Sequence, residues 1–326
     1  MSAAPSSSDL SLPRIDAELA SALAALGPMP TEVRLDDMKL IHALRDSHAM
    51  MDALGTRLAT DPRVHTDNVT ITGRTPGKQL LLRLYRPAEA DGGALLFFHG
   101  GAHLLGDVYV EEPRCLQLAA EGRCLVVSVD YALAPEEPFP ADLEDALAAL
   151  HWLAAEAGTL GVDVRRIGVG GGSAGAGLAA ALALATRDRG GLRPCWQMLV
   201  YPMLDDRLQT PSMFLPATPL FGRRAAADAW AHYLGGRPAT PLSAPARAED
   251  LSALPPAYML VAEHDVLRDE GIYYARRLVE AGVPTELHLY PGTVHGFDVV
   301  GATTAVGRRA LAEQADATRR ALAPYG

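Results

Sequence analysis

A serine flanked by glycines is the residue of this sequence best suited to covalent chemistry. Ser173 lies in Gly-Gly-Ser-Ala-Gly (171–175), after a short apolar run and before a long Ala/Leu run. The first run is typical of a buried strand and the second of a helix. Gly-x-Ser-x-Gly at a strand-to-helix turn is the nucleophile elbow pattern, because only glycine fits beside so tight a turn. Ser173 is therefore predicted to be a nucleophile at a helix N-terminus, whose partial positive charge favours an oxyanion.

Two other interpretations of this glycine-rich turn are close packing and a phosphate cradle. A P-loop needs a Gly-Lys-Ser/Thr sequence, which does not follow here. A dinucleotide site needs an acidic residue about twenty positions on, at a strand end. Asp188 lies near that distance, but in a Thr-Arg-Asp-Arg stretch that is typical of a helix end. The choice between catalysis and packing therefore depends on the rest of the chain.

A histidine and an aspartate follow two later predicted strands. His295 stands just after the strand predicted at 285–290, and Asp265 just after the one predicted at 257–262. Ligands bind at the carboxyl edge of parallel sheets, where both residues are expected. His295 is therefore predicted to be the general base for Ser173, and Asp265 the carboxylate that orients it. The order Ser, Asp, His along the chain is that of the α/β-hydrolases.

An oxyanion hole is the fourth requirement of such a site. His99 and the glycines Gly100 and Gly101 follow a uniformly apolar strand predicted at 94–98. Bare backbone N–H groups there can approach a reacting carbonyl closely. Gly100, Gly101 and the N–H of Ala174 are predicted as the three donors, and His99 as a structural brace of the loop.

Composition limits the classes of function. The 326 residues are 49% hydrophobic and 21% charged, which fits a soluble globular protein. The net charge of −10 and the lack of a basic run argue against nucleic acid as a partner. Cys115, Cys124 and Cys195 fit no metal or redox spacing, so they are predicted to be reduced core thiols, with no metal and no cofactor. Without a signal peptide or a run long enough to span a bilayer, a cytoplasmic protein is expected.

Strand and helix patterns alternate along most of the chain. The strands are predicted at 68–72, 80–85, 94–98, 124–129, 167–170, 198–201, 257–262 and 285–290. Helices are predicted at 113–120, 143–157, 174–187 and 270–281. This alternation predicts an α/β fold with a mostly parallel sheet of about eight strands and helices on both faces.

Two segments stand outside the alternation. Residues 1–66 contain two helical patterns before any strand, and are predicted to be N-terminal cap helices with a mobile tail at 1–12. The catalytic domain is expected at 67–326. It is interrupted by a Pro-rich segment at about 203–245, here called the insert, which is far longer than a simple crossover needs. The insert contains a helical patch at 225–234 and is predicted to be a second cap segment.

From about Leu80 to Phe297 the sequence resembles the hormone-sensitive-lipase-type branch of the α/β-hydrolases, the bacterial family IV esterases. The matching stretches are His99–Ala102 for HGGG, Gly171–Ala176 for GDSAGG, Asp130–Pro140 for DYRLAPExPFP, Asp265–Glu270 for DxLRDE and His295–Phe297 for HGF. The resemblance implies the α/β-hydrolase fold with a helical cap, hydrolysis of short-acyl esters without a cofactor, and frequent homodimers.

The sequence departs from the family pattern at four positions. Ala102 replaces the third glycine of HGGG, and Ala176 the last glycine of GDSAGG. Gly172 replaces the aspartate beside the nucleophile, which is expected to loosen the elbow and slow turnover. Gly172→Asp is therefore the variant expected to restore activity if the protein is slow. His103 stands where the family often has an aromatic residue, and is expected to make the pocket mouth more polar.

The combined patterns predict a serine carboxylesterase acting on a small-molecule ester. An amide, carbamate or lactone hydrolase would need the same residues, because the machinery is shared and only the leaving group differs. A non-catalytic small-molecule receptor on the same fold is a third hypothesis. It is disfavoured because Ser173, Asp265 and His295 are all present.

Overall fold

The sheet is the framework of the molecule. The computed structural model describes residues 14–27, 33–46, 59–75, 77–216 and 218–324. Its strands are β1 (Val64–Thr72), β2 (Gln79–Pro87), β3 (Gly93–Phe98), β4 (Cys124–Val129), β5 (Ile167–Gly172), β6 (Gln197–Val200), β7 (Ala257–His264) and β8 (Thr285–Val294). They form one eight-stranded sheet in the order β1-β2-β4-β3-β5-β6-β7-β8. β2 is antiparallel to β1 and to β4, and the remaining neighbours are parallel, which confirms the predicted sheet.

The central strands are apolar because both of their faces are covered. All residues of β3, β4 and β5 are buried. β3 lies between β4 and β5, so that Phe98 at its end is beside Val129 and Gly171. The loops that follow β3, β5, β7 and β8 therefore leave the sheet at the same carboxyl edge, where binding sites of open parallel sheets form.

Helices cover the two faces of the sheet. They are α3 (Glu112–Gly122), α4 (Ala141–Ala155), α5 (Ala174–Arg189), α7 (Arg268–Glu280) and α9 (Ala305–Ala321), with a single turn, α8 (Phe297–Val300), before the last. Side chains of α4, α5 and α7 share one apolar cluster, whereas those of α3 and α9 share another. The four predicted helices are present with ends shifted by a few residues. The sequence pattern missed α9, whose buried residues are largely alanine, glycine, threonine and glutamine and give little apolar periodicity.

The two helices that precede the sheet pack in different places. α1 (Ala17–Ala25) buries Leu19 and Leu23 in the cluster of α3 and α9. α2 (Met38–Asp46) buries Ile41 in a third cluster, together with residues of the insert. The predicted tail at 1–12 and residues 47–58 of the predicted N-terminal cap segment lie outside the described residues. The division of the chain into cap and catalytic parts stays a prediction.

The insert leaves the sheet after β6 and returns at β7. It contains α6 (Arg223–Leu234), which includes the predicted helical patch, and two 3-10 turns, Pro211–Phe214 and Pro245–Arg247. Most of its large apolar side chains are buried in the third cluster, namely Met203, Met213, Phe221, Trp230 and Tyr233. Phe214 is the exception, since it is 62% exposed and the Arg223 guanidinium lies 4.7 Å from its ring centre.

The cysteines are free thiols. Cys115 and Cys124 are buried as predicted, whereas Cys195 is only partly buried. Burial raises the pKa of Cys124 to about 12 and that of Cys195 to about 11, which keeps both protonated near neutral pH. No helix in the described ranges is both long and apolar enough to cross a membrane.

Candidate active site

Ser173 occupies the turn between β5 and α5. Its backbone has φ 56° and ψ −118°, a conformation that L-residues rarely adopt. A Cβ atom added to Gly171 would lie 2.5 Å from the Phe98 carbonyl oxygen, and one added to Gly175 would overlap the same oxygen. Both positions therefore require glycine, which agrees with the steric explanation of the Gly-x-Ser-x-Gly pattern. The sharp turn places the serine at the first turn of α5.

The structure brings the predicted triad residues together. His295 Nε2 lies 2.9 Å from Ser173 Oγ, and His295 Nδ1 lies 2.7 Å from Asp265 Oδ2. Asp265 is fully buried, and its other oxygen accepts a hydrogen bond from the Leu267 N–H at 2.9 Å. Because a carboxylate only accepts hydrogen bonds, Nδ1 carries a proton and Nε2 is left to accept the Ser173 hydroxyl proton. This arrangement of the three side chains is suited to general-base activation of a hydroxyl.

The other histidine near the end of the sheet has a different environment. His288 lies within β8, between the rings of Tyr258 and Tyr290, and its Nε2 is 2.7 Å from Glu286. This agrees with the structural role that its place inside the strand suggests.

In the loop after β3, the structure contradicts one of the three N–H groups predicted as oxyanion donors. The Gly100 N–H donates to Glu111 Oε1 at 2.8 Å, so this amide already has a buried protein acceptor. The N–H groups of Gly101, Ala102 and Ala174 have no hydrogen-bond acceptor in the part of the chain that the structure describes. The candidate donor that the sequence argument missed is Ala102, which has a left-handed φ of 58°. Sequence gave no sign of this, because the argument depended on glycine and position 102 is alanine.

His99 braces this loop. Its Nδ1 lies 2.7 Å from the Gly100 carbonyl oxygen, and its ring stacks on Tyr131 with centroids 4.4 Å apart. The Tyr131 hydroxyl donates to the His99 carbonyl oxygen at 2.7 Å. Burial lowers the pKa of His99 to about 4, so the imidazole is neutral at pH 7. These contacts agree with the predicted bracing role.

A carboxylate lies beside the elbow although position 172 is glycine. A Cβ atom at Gly172 would be 2.6 Å from Glu111 Oε1 and 2.8 Å from Arg114 Nη1. The expectation that the elbow lacks a neighbouring carboxylate is therefore wrong. The expectation that Gly172→Asp restores activity stays a prediction, and the new side chain would have to displace Glu111 and Arg114. Glu111 and Arg114 carried no recognisable sequence signal, because acidic and basic residues at a helix start usually face solvent.

Two acids at the start of α7 fasten the insert to the site. Asp269 Oδ2 accepts from the Ser212 N–H at 2.7 Å, and Glu270 Oε1 accepts from the Leu204 N–H at 2.6 Å. Burial raises the pKa of Glu270 well above its ordinary value. Both carboxylates thus accept hydrogen bonds from N–H groups of the insert. The chain around Asp265 is thereby tied to the insert.

Aromatic rings enclose the His295 imidazole. The Tyr201 ring centre lies 4.8 Å from it, and the Phe221 ring of the insert 5.1 Å from it. His103 is 2% exposed, stacks on Tyr233 at 3.8 Å, and lies 3.2 Å from Asp142. The structure thus places His103 in the interior, not at an exposed pocket mouth. Within the described ranges there is no group of three or more His, Cys, Asp or Glu side chains suited to hold a metal ion.

Comparison with known proteins agrees with this architecture. Residues 95–299 match a protein family whose description is the α/β-hydrolase fold. Esterase LipI of Mycobacterium tuberculosis is 37% identical over 306 residues, covering 89% of this chain and 92% of that protein. Ethyl acetate hydrolase of Pseudomonas putida is 33% identical over 277 residues, covering 80% of this chain and 86% of that protein.

Solved structures show the same similarity. The crystal structure of esterase LipW from Mycobacterium marinum superposes with a TM-score of 0.86 at 37% identity, covering 95% of this chain and 97% of that one. The chain therefore belongs to the α/β-hydrolase fold family, within the branch of carboxylic ester hydrolases that the motifs resemble.

Proposed function

We propose that this esterase is a serine carboxylesterase that hydrolyses short-acyl esters through an acyl-enzyme. The observation that carries the proposal is the continuous series of hydrogen bonds from Asp265 through His295 to Ser173, at 2.7 Å and 2.9 Å. All three side chains are buried or nearly so, hence their interactions are little weakened by water.

Acylation begins with attack of Ser173 Oγ on the ester carbonyl carbon. His295 Nε2 takes the hydroxyl proton, and Asp265 stabilises the resulting imidazolium. The carbonyl oxygen becomes an oxyanion, for which Gly101, Ala102 and Ala174 are the proposed N–H donors. The tetrahedral intermediate then collapses, and His295 passes its proton to the alkoxide so that the alcohol leaves.

Deacylation repeats these steps with water in place of the serine. His295 Nε2 takes a proton from the water, whose oxygen attacks the acyl carbon. The second tetrahedral intermediate collapses with proton return to Ser173 Oγ, and the carboxylic acid departs. No redox change occurs, and no proton is left over in the cycle.

The proposal of short acyl chains has two supports. One relative is named for hydrolysis of ethyl acetate, an ester with a two-carbon acyl group. In this chain the ring of Phe221 lies against His295, so the insert covers the base closely. We further propose that the insert, with α2 packed against it, forms the cap over the site.

The first test replaces the nucleophile. In Ser173→Ala, hydrolysis of p-nitrophenyl acetate is expected to fall by at least about 10³-fold, because the acyl-enzyme cannot form. Turnover is measured for p-nitrophenyl esters from acetate to long acyl chains, with circular dichroism as a check of folding. A matched control is Ser128→Ala, which removes another buried serine, on β4, and is expected to keep turnover close to wild type.

The results separate the alternatives. A folded Ser173→Ala variant that retains near-wild-type turnover would contradict the assignment of the nucleophile. If wild-type protein hydrolyses none of the p-nitrophenyl esters but cleaves anilides, carbamates or lactones, its substrate bond is the amide, carbamate or lactone bond. Fast turnover that peaks at long acyl chains would contradict the short-acyl part alone.

A further inference from the structure

Position 172 is where the chain departs most from the family motif, and the structure shows what fills the space. Within 3.0 Å of a Cβ atom placed there lie both carboxylate oxygens of Glu111 and one guanidinium nitrogen of Arg114. Glu111 is 4% exposed and Arg114 is 1% exposed. Both side chains are therefore buried beside the elbow. A carboxylate from a distant part of the chain thus lies in the space beside Gly172.

Glu111 also contacts the loop after β3. Its Oε1 accepts the Gly100 N–H at 2.8 Å, while its Oε2 forms an ion pair with Arg114. Gly100 itself is closely placed against the elbow, since a Cβ atom on it would be 3.4 Å from Ser173 Cβ. Although Glu111 stands at the N-cap position of α3, its side chain makes no capping hydrogen bond. Its carboxylate instead accepts the Gly100 N–H of the proposed oxyanion loop and lies beside Gly172 in the turn that carries the nucleophile.

Arg114 extends the contact towards the base. Its Nη2 lies 2.6 Å from the Tyr201 hydroxyl and 2.8 Å from Asp298 Oδ2. The Tyr201 hydroxyl donates to Asp298 Oδ1 at 2.8 Å, and Gln314 donates to Oδ2 at 2.7 Å. Burial opposes the charge of Arg114, but Asp298 and Tyr201 hold its pKa above the ordinary value. Arg114 therefore forms ion pairs with two carboxylates, Glu111 and Asp298, which also accept hydrogen bonds from the Gly100 N–H, the Tyr201 hydroxyl and Gln314. A buried ionic group is stabilised when such hydrogen bonds accompany the ion pairs.

We infer that Glu111 is a positioning residue that replaces the aspartate absent from position 172. It holds the loop of Gly100, Gly101 and Ala102 against the Ser173 turn, and its charge forms an ion pair with Arg114, which Asp298 shares. The inference rests on the proposed esterase mechanism, because the positioned groups are its nucleophile and its oxyanion donors. Misplacement of such groups by about 1 Å costs on the order of 10²-fold in rate.

Moving the carboxylate from position 111 to position 172 tests this role. Glu111→Ala is expected to lower kcat by about 10- to 100-fold with KM changed less than about threefold. Gly172→Asp is expected to lower kcat too, because its side chain collides with Glu111 and Arg114. The double variant, Glu111→Ala with Gly172→Asp, is expected to exceed both single variants in kcat at least fivefold. In that variant the aspartate introduced at position 172 supplies the carboxylate that Glu111→Ala removes.

Glu112→Gln is the matched control. Glu112 is adjacent in sequence and equally buried, but its carboxylate pairs with Arg83 at 2.6 Å and accepts the Tyr85 hydroxyl at 2.6 Å. Its loss is expected to lower the melting temperature while kcat stays within about twofold of wild type. The rate of Ser173 labelling by a fluorophosphonate is measured for every variant, as a readout of nucleophile positioning that needs no ester turnover.

Two results would overturn the inference. One is a Glu111→Ala variant whose kcat and labelling rate match those of the Glu112→Gln control. The other is a folded double variant no faster than the slower single variant. Failure of the proposed function looks different, since wild-type protein would then be inert towards esters. Labelling rates would still test the positioning, and a wild-type protein that is neither labelled nor active would overturn both.

Discussion

Asp130 directly follows β4, and burial in the folded protein disfavours the charged form of its carboxylate. Burial, with smaller contributions from the carboxylates of Asp107 and Asp145, raises its pKa to about 6. The unfolded chain gives it an ordinary value of about 3.9. Between these values the folded state binds more protons than the unfolded state, so stability from this group is present at low pH and is lost as pH rises from about 4 to 6.

Asp130→Asn is therefore expected to raise the free energy of unfolding at pH 7 by about 3 kcal/mol. The gain should shrink as pH falls from 7 to 4 and vanish only below about pH 3, where the carboxyl is protonated in both states. Urea unfolding at pH 4, 5, 6 and 7 checks this. Asp163→Asn is the control of opposite sign, because the Arg165 side chain lowers the pKa of Asp163 to about 2 and its removal should cost stability at pH 7. A gain that is equal at all four pH values would contradict the interpretation.

At the scale of elements, α2 contacts the rest of the protein through its buried Ile41 and through Arg45. Arg45 Nε donates to the Leu104 carbonyl at 2.7 Å, and its Nη2 donates to the Ala134 carbonyl at 2.7 Å. Its Nη1 pairs with Glu136 at 2.9 Å, which His42 also contacts. Leu104 follows the proposed oxyanion loop directly. The attachment thus joins the proposed cap to the loop that faces the substrate.

Arg45→Ala is expected to loosen α2 and, if α2 is part of the cap, to raise KM for longer acyl chains by about threefold to tenfold with kcat for acetate nearly unchanged. Limited proteolysis with chymotrypsin should cut near α2 faster than in wild type, because fewer contacts oppose local opening. Arg276→Ala, which removes an exposed arginine paired with Glu280 on α7, is the control. If proteolysis and KM are both unchanged, α2 is not part of the cap.

At the scale of the whole molecule, the two outer strands of the sheet differ. β1 is rich in polar side chains, whereas β8 exposes Leu287 at 42% and Leu289 at 49%. α7, which packs near β8, exposes Tyr273 at 48% and Val279 at 59%. An apolar outer strand with unpaired backbone groups is a template for pairing with another chain. The homodimer implied by the family resemblance is therefore expected to form through β8.

Leu289→Lys tests this expectation by placing a charge at the middle of that surface. Sedimentation velocity should show a dimer for wild type and a shift towards monomer for the variant, with turnover per chain preserved. Val164→Lys, a lysine at another exposed apolar position, should leave the dimer intact. A wild-type monomer at micromolar concentration, or a Leu289→Lys dimer as tight as wild type, would contradict pairing through β8.

Much of the fold and the core of the site could be predicted from sequence. Strand and helix type follow from local periodicity, and the elbow glycines follow from a steric limit at a single turn. Ser173, Asp265 and His295 could be chosen because each follows a predicted strand, and parallel strands end at one edge. α9 escaped prediction because its packing face is made of small and polar residues.

Tertiary structure alone decided which groups support the site. Glu111 reaches Gly172 across 61 positions of the chain, and no local pattern encodes a contact between a helix start and a distant turn. The same contact occupies the Gly100 N–H and leaves Ala102 as the candidate donor. Sequence by itself determined the reacting groups and their order, because their chemistry and turn geometry are local. Their supporting charges depend on which buried side chains meet in space, which only the folded chain defines.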